Sequence, residues 1–546
     1  MYHSLKKSLA TKPLIYVTKD LERALGFGKA VPGFFIISNS GPFVKTTYGK
    51  RPDILLIEGE AELDTRELLT HPKTQKFLRK FKNPQIVVFK NTKQIEQICV
   101  ASKYQLLNPP AETAARFEEK VSQVEMFAPL REYLPDCEIH TIRDLKWHGE
   151  KFILQFNHSH TGAGTILVDS EKIIEDLQAK FPEREVRTAR YIDGYIFTNN
   201  NIVWGEKTLI GNINFQITGM RPFTDNPFAT VGNDWSIVDK ILPPKAKKEY
   251  KKIVNLVAEQ MRRAGWSGLF GVDIAYEIKT GKLYLIEINS RQPASTTYES
   301  ILQNKAKHKA DALTVFEAHL AALLRLPLTG SIIPINSGAQ VTQKVTDRID
   351  KLYLPKIFRP EKQFSYLYYR MTGKPGAELM RLMTDEGIMA NPPTTFNDMG
   401  VKLADFVFCA RGESTWNAPR AAGVITHDGK ILLMKRKKLD REYFVIPGGT
   451  VDVGETLTET LKREILEETN LEITLTKQKP IHTFHRGRDE YYFFITEFTG
   501  EAELGGPEKN FSNPNNSYEL VWINLHDIPK INLLPTHARE IVAKLK

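Results

Sequence analysis

The sequence predicts a multidomain protein of mixed α/β and α+β class, and three stretches carry that reading. Residues 1 to about 115 alternate short apolar runs with helical patterns, as an open α/β sheet does. Gly268–Ser295 (GLFGVDIAYEIKTGKLYLIEINSRQPAS) reads as two strands around a turn, with acids placed to face one another. Gly449–Leu471 (GTVDVGETLTETLKREILEETNL) sets Glu455, Glu464, Glu467, Glu468 and Arg463 at fixed spacing around a turn and a helix. At 546 residues the chain should hold three or four domains.

Taken in order, Leu14–Val17, Phe34–Ile37, Ile54–Ile57 and Ile86–Phe89 are the apolar strands of the first domain, and Thr92–Lys103 is the helix after them. Asn108-Pro109-Pro110 breaks the pattern before a helix over Glu112–Glu125. A mixed region runs to about residue 330 and ends in a helix over Ala306–Leu324, closed by Pro327. Short strands and turns fill 331–415. Ala421–Thr426 and Ile431–Arg436 flank Asp428-Gly429, a hairpin signal. Tyr443–Ile446 is one more strand, stopped by Pro447-Gly448-Gly449. The expected domains are 1–115, 116–330, 331–415 and 416–546.

The last motif has a physical reading of its own. At 100° per residue, Leu457, Leu461 and Ile465 form a buried stripe. Glu468 falls inside that sector, Glu464 on its edge and Glu467 beyond it. Like charges at i and i+4 cost about 0.2–0.5 kcal/mol before desolvation. A divalent cation removes the conflict, and hard oxygen donors suit Mg2+ or Mn2+. The spacing resembles the Nudix box, G-x5-E-x7-R-E-U-x-E-E-x-G-U with U bulky and apolar. The one departure is Asn470 in place of the last Gly, and Asn tolerates the left-handed conformation a helix end demands. The resemblance implies an α/β/α sandwich that hydrolyses a diphosphate. Glu464, Glu467, Glu468 and Glu455 are the implied metal set, Glu464 and Glu467 are catalytic candidates, and Arg463 orients Glu455 and Glu464. Glu519 is a further acid to consider, and His537, in LPTHARE at the start of a terminal helix, reads as a surface residue.

In the middle motif, strand alternation puts Glu287 and Asn289 on one face. Pairing with the neighbouring strand would add Asp273, giving three oxygen ligands of the kind Mg2+ needs to bridge nucleotide phosphates. This pattern resembles the metal end of an ATP-grasp domain, preceded by the usual open α/β domain. The resemblance extends over about 90–330. It implies that Lys120 reaches ATP phosphates, that Gly162 and Gly164 belong to a small-residue loop covering them, that Tyr191–Gly194 lies beside the adenine, and that Arg291 meets a carboxylate. Two positions depart from it. Gln155 stands where a second phosphate-binding lysine is expected, leaving Lys151 or Lys207 to supply the charge. Ala189 and Arg190 stand where an acid is expected.

Composition narrows the class further. Hydrophobic content of 41% and charged content of 26% are those of a globular protein. No apolar run approaches a membrane span, and the start MYHSLKKSLATK lacks the apolar core of a signal peptide. Three cysteines, far apart, form neither zinc spacing nor a disulfide framework, so a cytoplasmic setting is expected. The net charge of +10 suits phosphorylated small molecules, and no aromatic-interleaved basic block points to nucleic acid. The expected protein is a Mg2+-dependent Nudix hydrolase fused to a ligase with ATP as substrate. The alternative is a nucleotide-sensing regulator with a degenerate ATP-grasp site.

Overall fold

Four short apolar runs and a two-residue edge strand build the first sheet. Strands β1 (Leu14–Val17), β2 (Phe34–Asn39), β3 (Ile54–Ile57), β4 (Gln85–Val88) and β5 (Gln105–Leu106) are parallel, in the order β3-β2-β1-β4-β5. Helices cover both faces, which is why these strands are apolar throughout rather than alternating. Ile15, Val17, Ile37 and Ile86 pack with Leu68, Ile95 and Cys99 on one side. Leu14, Tyr16, Phe34 and Ile36 pack with Leu5, Leu9, Phe316 and Leu320 on the other. The structure, a computed structural model, describes residues 2–59, 62–119, 128–156, 164–306, 311–327, 330–349, 352, 364–368, 374–411, 419–438, 441–451, 455–475, 479–485, 488–505, 516–535 and 537–544. The chain divides into two compact units, Met1–Gly400 and Val401–Lys546.

A four-stranded antiparallel sheet follows in the first unit: β6 (Cys137–Thr141), β7 (Phe152–Phe156), β8 (Thr165–Val168) and β9 (Glu185–Arg190), in the order β6-β9-β7-β8. Helix Glu171–Lys180 covers one face of it through Ile174 and Leu177.

The third sheet has nine strands among the described residues: β10 (Gly194–Trp204), β11 (Lys207–Leu209), β12 (Asn214–Thr218), β13 (Thr230–Asp234), β14 (Gly268–Glu277), β15 (Leu283–Asn289), β16 (Ala339–Lys344), β17 (Ser365–Tyr368) and β18 (Glu378–Thr384). Their order is β15-β14-β10-β12-β13-β16-β18-β17, with β11 beside β10. Strands β16, β17 and β18 therefore extend the same sheet that carries β14 and β15.

Two expected helices differ from the pattern among the described residues. Of the helix expected over Glu112–Glu125, the structure describes Ala111–Glu118, with Glu119 extended, and residues 120–125 lie outside the described residues. Of the helix expected over Ala306–Leu324, only Val315–Leu323 is helical among the described residues; a separate helix, Thr296–Lys305, ends before it at an extended Ala306, and residues 307–310 lie outside the described residues. Thr314 starts the second with a capping box: its hydroxyl accepts from Glu317 N at 3.1 Å, and the Glu317 carboxylate accepts from Thr314 N at 3.0 Å. Just before it, Leu313 bridges to Ile332, which holds the chain extended.

In the second unit, β19 (Arg420–His427) and β20 (Lys430–Lys438) form the expected hairpin, with Asp428 and Gly429 at φ 48° and 73°. Both are left-handed, as a tight two-residue turn requires. β21 (Arg441–Val445), β22 (Gly448–Thr450), β23 (Glu472–Thr474), β24 (Ile481–His485), β25 (Arg488–Ile495), β26 (Glu497–Thr499) and β27 (Asn516–Asn524) follow. β21-β20-β19-β25-β24 form the main sheet, joined by β22 on β19 and β27 on β20, while β23 and β26 pair separately. Helix Leu457–Thr469 packs Leu461 and Ile465 against Ala421, Ile425 and Phe493 on one face of that sheet. Ile541 and Val542 of the terminal helix Ala538–Ala543 pack on the other with Val424 and Tyr492.

Candidate functional site

The carboxylate helix starts where Thr456 caps it, with Glu459 completing a capping box. It ends at Asn470, whose φ of 60° and ψ of 19° are the left-handed conformation expected of the residue replacing glycine. Between these ends Arg463 is the hub. Its Nε and Nη2 donate to the two oxygens of Glu455 at 2.8 Å each, and its Nη1 donates to Glu464 Oε1 at 2.8 Å. Glu467 Oε2 lies 3.6 Å from the same Nη1. Thr460 donates a further hydrogen bond to Glu455 Oε2 at 2.7 Å. Glu455, then Glu464, hold the guanidinium still further above its usual range.

Strand β22 passes close over this helix. Gly448 N donates to Glu468 Oε2 at 2.9 Å. At Gly449 a Cβ would lie 2.0 Å from the Glu464 carboxyl, so only glycine lets that carboxylate in. Burial pushes the Glu464 carboxyl up, partly offset by Arg463. Glu464 is the most enclosed of the acids on the Arg463 hub and Glu467 the most open, at 17% and 48% side-chain exposure. Among the described residues no three acidic, His or Cys side chains converge as a ready-made metal centre. The donor set still fits a hard divalent cation, since Glu464, Glu467 and Glu468 lie on adjoining turns and a cation would relieve the enclosed Glu464. Glu455, with both oxygens engaged by Arg463, stands as the arginine's anchor.

The middle motif is built by β14 and β15. Their register places Asp273 opposite Glu287 and Gly271 opposite Asn289. Directly opposed and alternate residues share a face, so the three oxygen side chains lie together. Asn289 Nδ2 is 3.5 Å from Asp273 Oδ2, and Gln216 Nε2 is 3.4 Å from the same oxygen. Beneath them the Tyr250 hydroxyl is raised well above its ordinary value, by burial first and then by the Asp273 charge. Arg291 Nη2 donates to Asn289 Oδ1 at 2.8 Å, and its Nε pairs with Glu118 Oε1 at 3.2 Å. Lys90, just past β4, holds the other Glu118 oxygen. The segment then docks on the first sheet and the elements after it: Ser290 donates to Ala114 O, Gln292 N to Phe89 O, and Tyr16 to the Gln292 side chain.

Lys120 and Gly162 lie outside the described residues. Gly164 opens β8, its carbonyl accepting from Phe156 N. Gln155 is buried on β7. Lys151 lies 4.2 Å over the ring of Tyr191, and Lys207 is exposed on β11. Arg190 reaches Glu277 at 2.7 Å and covers the ring of Tyr284, tying the small sheet to the large one. Glu519 is exposed and pairs with Lys435 at 4.0 Å.

One cluster escaped the sequence reading. His537 is half-buried rather than simply on the surface: its Nε2 is 3.1 Å from Glu490, which is buried on β25, and 3.3 Å from the Tyr492 hydroxyl. Glu490 and Tyr492 alternate on one strand among apolar residues, and that spacing was the available signal.

Comparison with known proteins agrees with these two halves. The model of the NUDIX domain matches residues 417–545. A protein of Bacillus subtilis (strain 168), provisionally named 8-oxo-dGTP diphosphatase, is 32% identical over 119 residues, 22% of this chain and 72% of that protein. The ADP-ribose pyrophosphatase of Methanocaldococcus jannaschii is 32% identical over 118 residues, 20% of this chain and 63% of that protein. Among solved structures, N5-carboxyaminoimidazole synthetase from Staphylococcus aureus, complexed with ADP, superposes with a TM-score of 0.51 at 12% identity, covering 72% of this chain and 97% of that one. That likeness is one of fold, and it gives the N-terminal and middle part an ATP-grasp architecture. The protein is an enzyme in which an ATP-grasp fold precedes a hydrolase domain, and through residues 417–545 the chain belongs to the NUDIX family.

Proposed function

We propose that the chain joins two nucleotide activities, a Nudix diphosphatase at 416–546 and an ATP-dependent ligase in the ATP-grasp part. The observation that carries the first is the Arg463 hub, which gathers Glu455, Glu464 and Glu467 while Glu468 is held at Gly448. Glu464, Glu467 and Glu468 are the residues to hold Mg2+ or Mn2+, and Glu455 orients them through Arg463. A divalent cation there supplies charge neutralisation for the diphosphate oxygens. Water adds to one phosphorus, the bridging P–O bond breaks, and a carboxylate accepts the water's proton. Glu467, the most open of the hub acids, is the base we assign to that step. The substrate is a nucleoside triphosphate or a nucleoside diphosphate linked to another group, and the two relatives' names mark 8-oxo-dGTP and ADP-ribose as the first to try.

In the ATP-grasp half, Asp273, Glu287 and Asn289 would hold Mg2+, which would supply positive charge to the nucleotide phosphates, and Arg291 would orient a carboxylate. That carboxylate takes the γ-phosphoryl group, leaving ADP, and an amine then displaces phosphate. Gln155 favours a second reading for this half, a sensor that binds nucleotide without turning it over. One panel tests both halves: release of phosphate, AMP and ADP with Mg2+ by the whole chain, beside Glu467→Gln and Glu287→Ala. Glu467→Gln is expected to lower diphosphatase turnover by about a hundredfold or more, and Glu287→Ala to abolish calorimetric binding of ATP. Full diphosphatase activity in Glu464→Gln, Glu467→Gln and Glu468→Gln alike would sink the first assignment, and undiminished ATP binding in Glu287→Ala the second.

A further inference from the structure

The four-stranded sheet has two unlike faces. Leu154, Val168 and Val186 point into the core beneath helix Glu171–Lys180. Strand alternation sends Gln155 and Arg187 to the other face. The two are ladder partners, Gln155 on β7 and Arg187 on β9. In an antiparallel pair such residues lie side by side, with Cβ atoms about 5 Å apart. Gln155 is 6% exposed and Arg187 only 2%. The Arg187 Nε has no hydrogen-bond partner, and among the described residues no ion pair involves it. An arginine N–H taken out of water without an acceptor is unfavourable, so the Arg187 Nε calls for a partner that the described residues do not supply.

Gln155 cannot supply charge to a phosphate, and Lys151 is committed to the Tyr191 ring. The guanidinium fork fits phosphate oxygens two at a time. We propose that Arg187, reaching from the neighbouring strand, binds the phosphates of the nucleoside di- or triphosphate held by this half of the chain. The proposal rests on the nucleotide-binding reading of Asp273, Glu287 and Asn289.

Two effects of opposite sign distinguish this role from a structural one. Arg187→Met keeps a long apolar stem and removes the charge. Without nucleotide the variant chain is expected to melt higher, by about 2–4 °C. Its affinity for MgADP is expected to fall by about ten- to a hundredfold, the weight of one charge-assisted hydrogen bond. Gln155→Lys, placed in the Arg187→Met background, is expected to restore binding. The measurement is calorimetry of the full chain with MgADP, where the Glu287-dependent heat identifies this site, together with melting curves of the nucleotide-free proteins. Unchanged MgADP affinity in Arg187→Met overturns the proposal whatever the melting point does. Lost binding with a lower melting point and no restoration by Gln155→Lys also overturns it, because it marks a packing role. A wild-type chain with no Glu287-dependent binding removes the nucleotide reading itself, and this proposal with it. Wild-type binding matched by Arg187→Met removes Arg187 alone.

Discussion

Gly449→Ala should separate catalysis from folding in the hydrolase domain. The three nearest atoms to a Cβ at this position all belong to the Glu464 carboxyl, at 2.0, 2.0 and 2.4 Å. Ordinary contact needs roughly 3.5–4 Å, so the carboxylate must retreat by roughly 1.5 Å. The end of a flexible side chain does this cheaply, at about 0.5–1.5 kcal/mol for an off-rotamer angle. Catalysis is less forgiving, since a 1 Å misplacement can cost about a hundredfold in rate. The adjoining Gly448 is the contrast. Its φ is 137°, and a Cβ there would lie 2.3 Å from the backbone oxygen of Ala421. Backbone cannot step aside, so Gly448→Ala should cost about 1–3 kcal/mol of stability. The assay is Mg2+-dependent turnover of the best substrate from the panel, with thermal melting of each variant. Gly449→Ala turning over like the wild type, or melting as low as Gly448→Ala, would refute the argument.

Two further outcomes are expected. His319 accepts from Leu269 N at 3.1 Å, and burial lowers its pKa from 6.5 to about 3. A depressed histidine stabilises the fold above the unfolded value and loses that contribution as pH falls from 6.5 toward 3, by about 2 kcal/mol at pH 5; His319→Asn should flatten the acid limb of the melting curve, and an unaltered limb would count against it. At Asn470, φ of 60° suits glycine and opposes a β-branched side chain; Asn470→Gly should melt within a degree or two of the wild type, whereas Asn470→Val should lose about 1–2 kcal/mol, and equal melting of all three would contradict the left-handed cap.

Local physics was legible in the sequence where it was decided locally. The Asp428-Gly429 turn, the stripe of Leu461 and Ile465, and the left-handed role of Asn470 follow from a few neighbouring residues. The pairing of Asp273 with Glu287 was legible because a short turn leaves few registers open. The helix expected over Ala306–Leu324 was misread because apolar periodicity ran through Thr314, whose capping box starts a new helix there. His537 was misread for a different reason: its partners Glu490 and Tyr492 lie more than forty residues away, on a strand whose neighbours only the folded sheet reveals. Arg187 is of the same kind, since its meaning depends on which residue of β7 stands beside it.

The docking of Gln292 bears on how the protein can be dissected. Its backbone N–H is taken by Phe89 O, its side-chain amide by Arg23 O, and its side-chain oxygen by Tyr16, all from the first hundred residues. Gln292 is 2% exposed, three residues beyond Asn289. A truncation that begins near residue 116 would strip three partners from one buried amide and reopen the apolar bed of Phe316. The first hundred residues thus brace the segment that follows β15, and a fragment made without them is expected to misfold around Gln292.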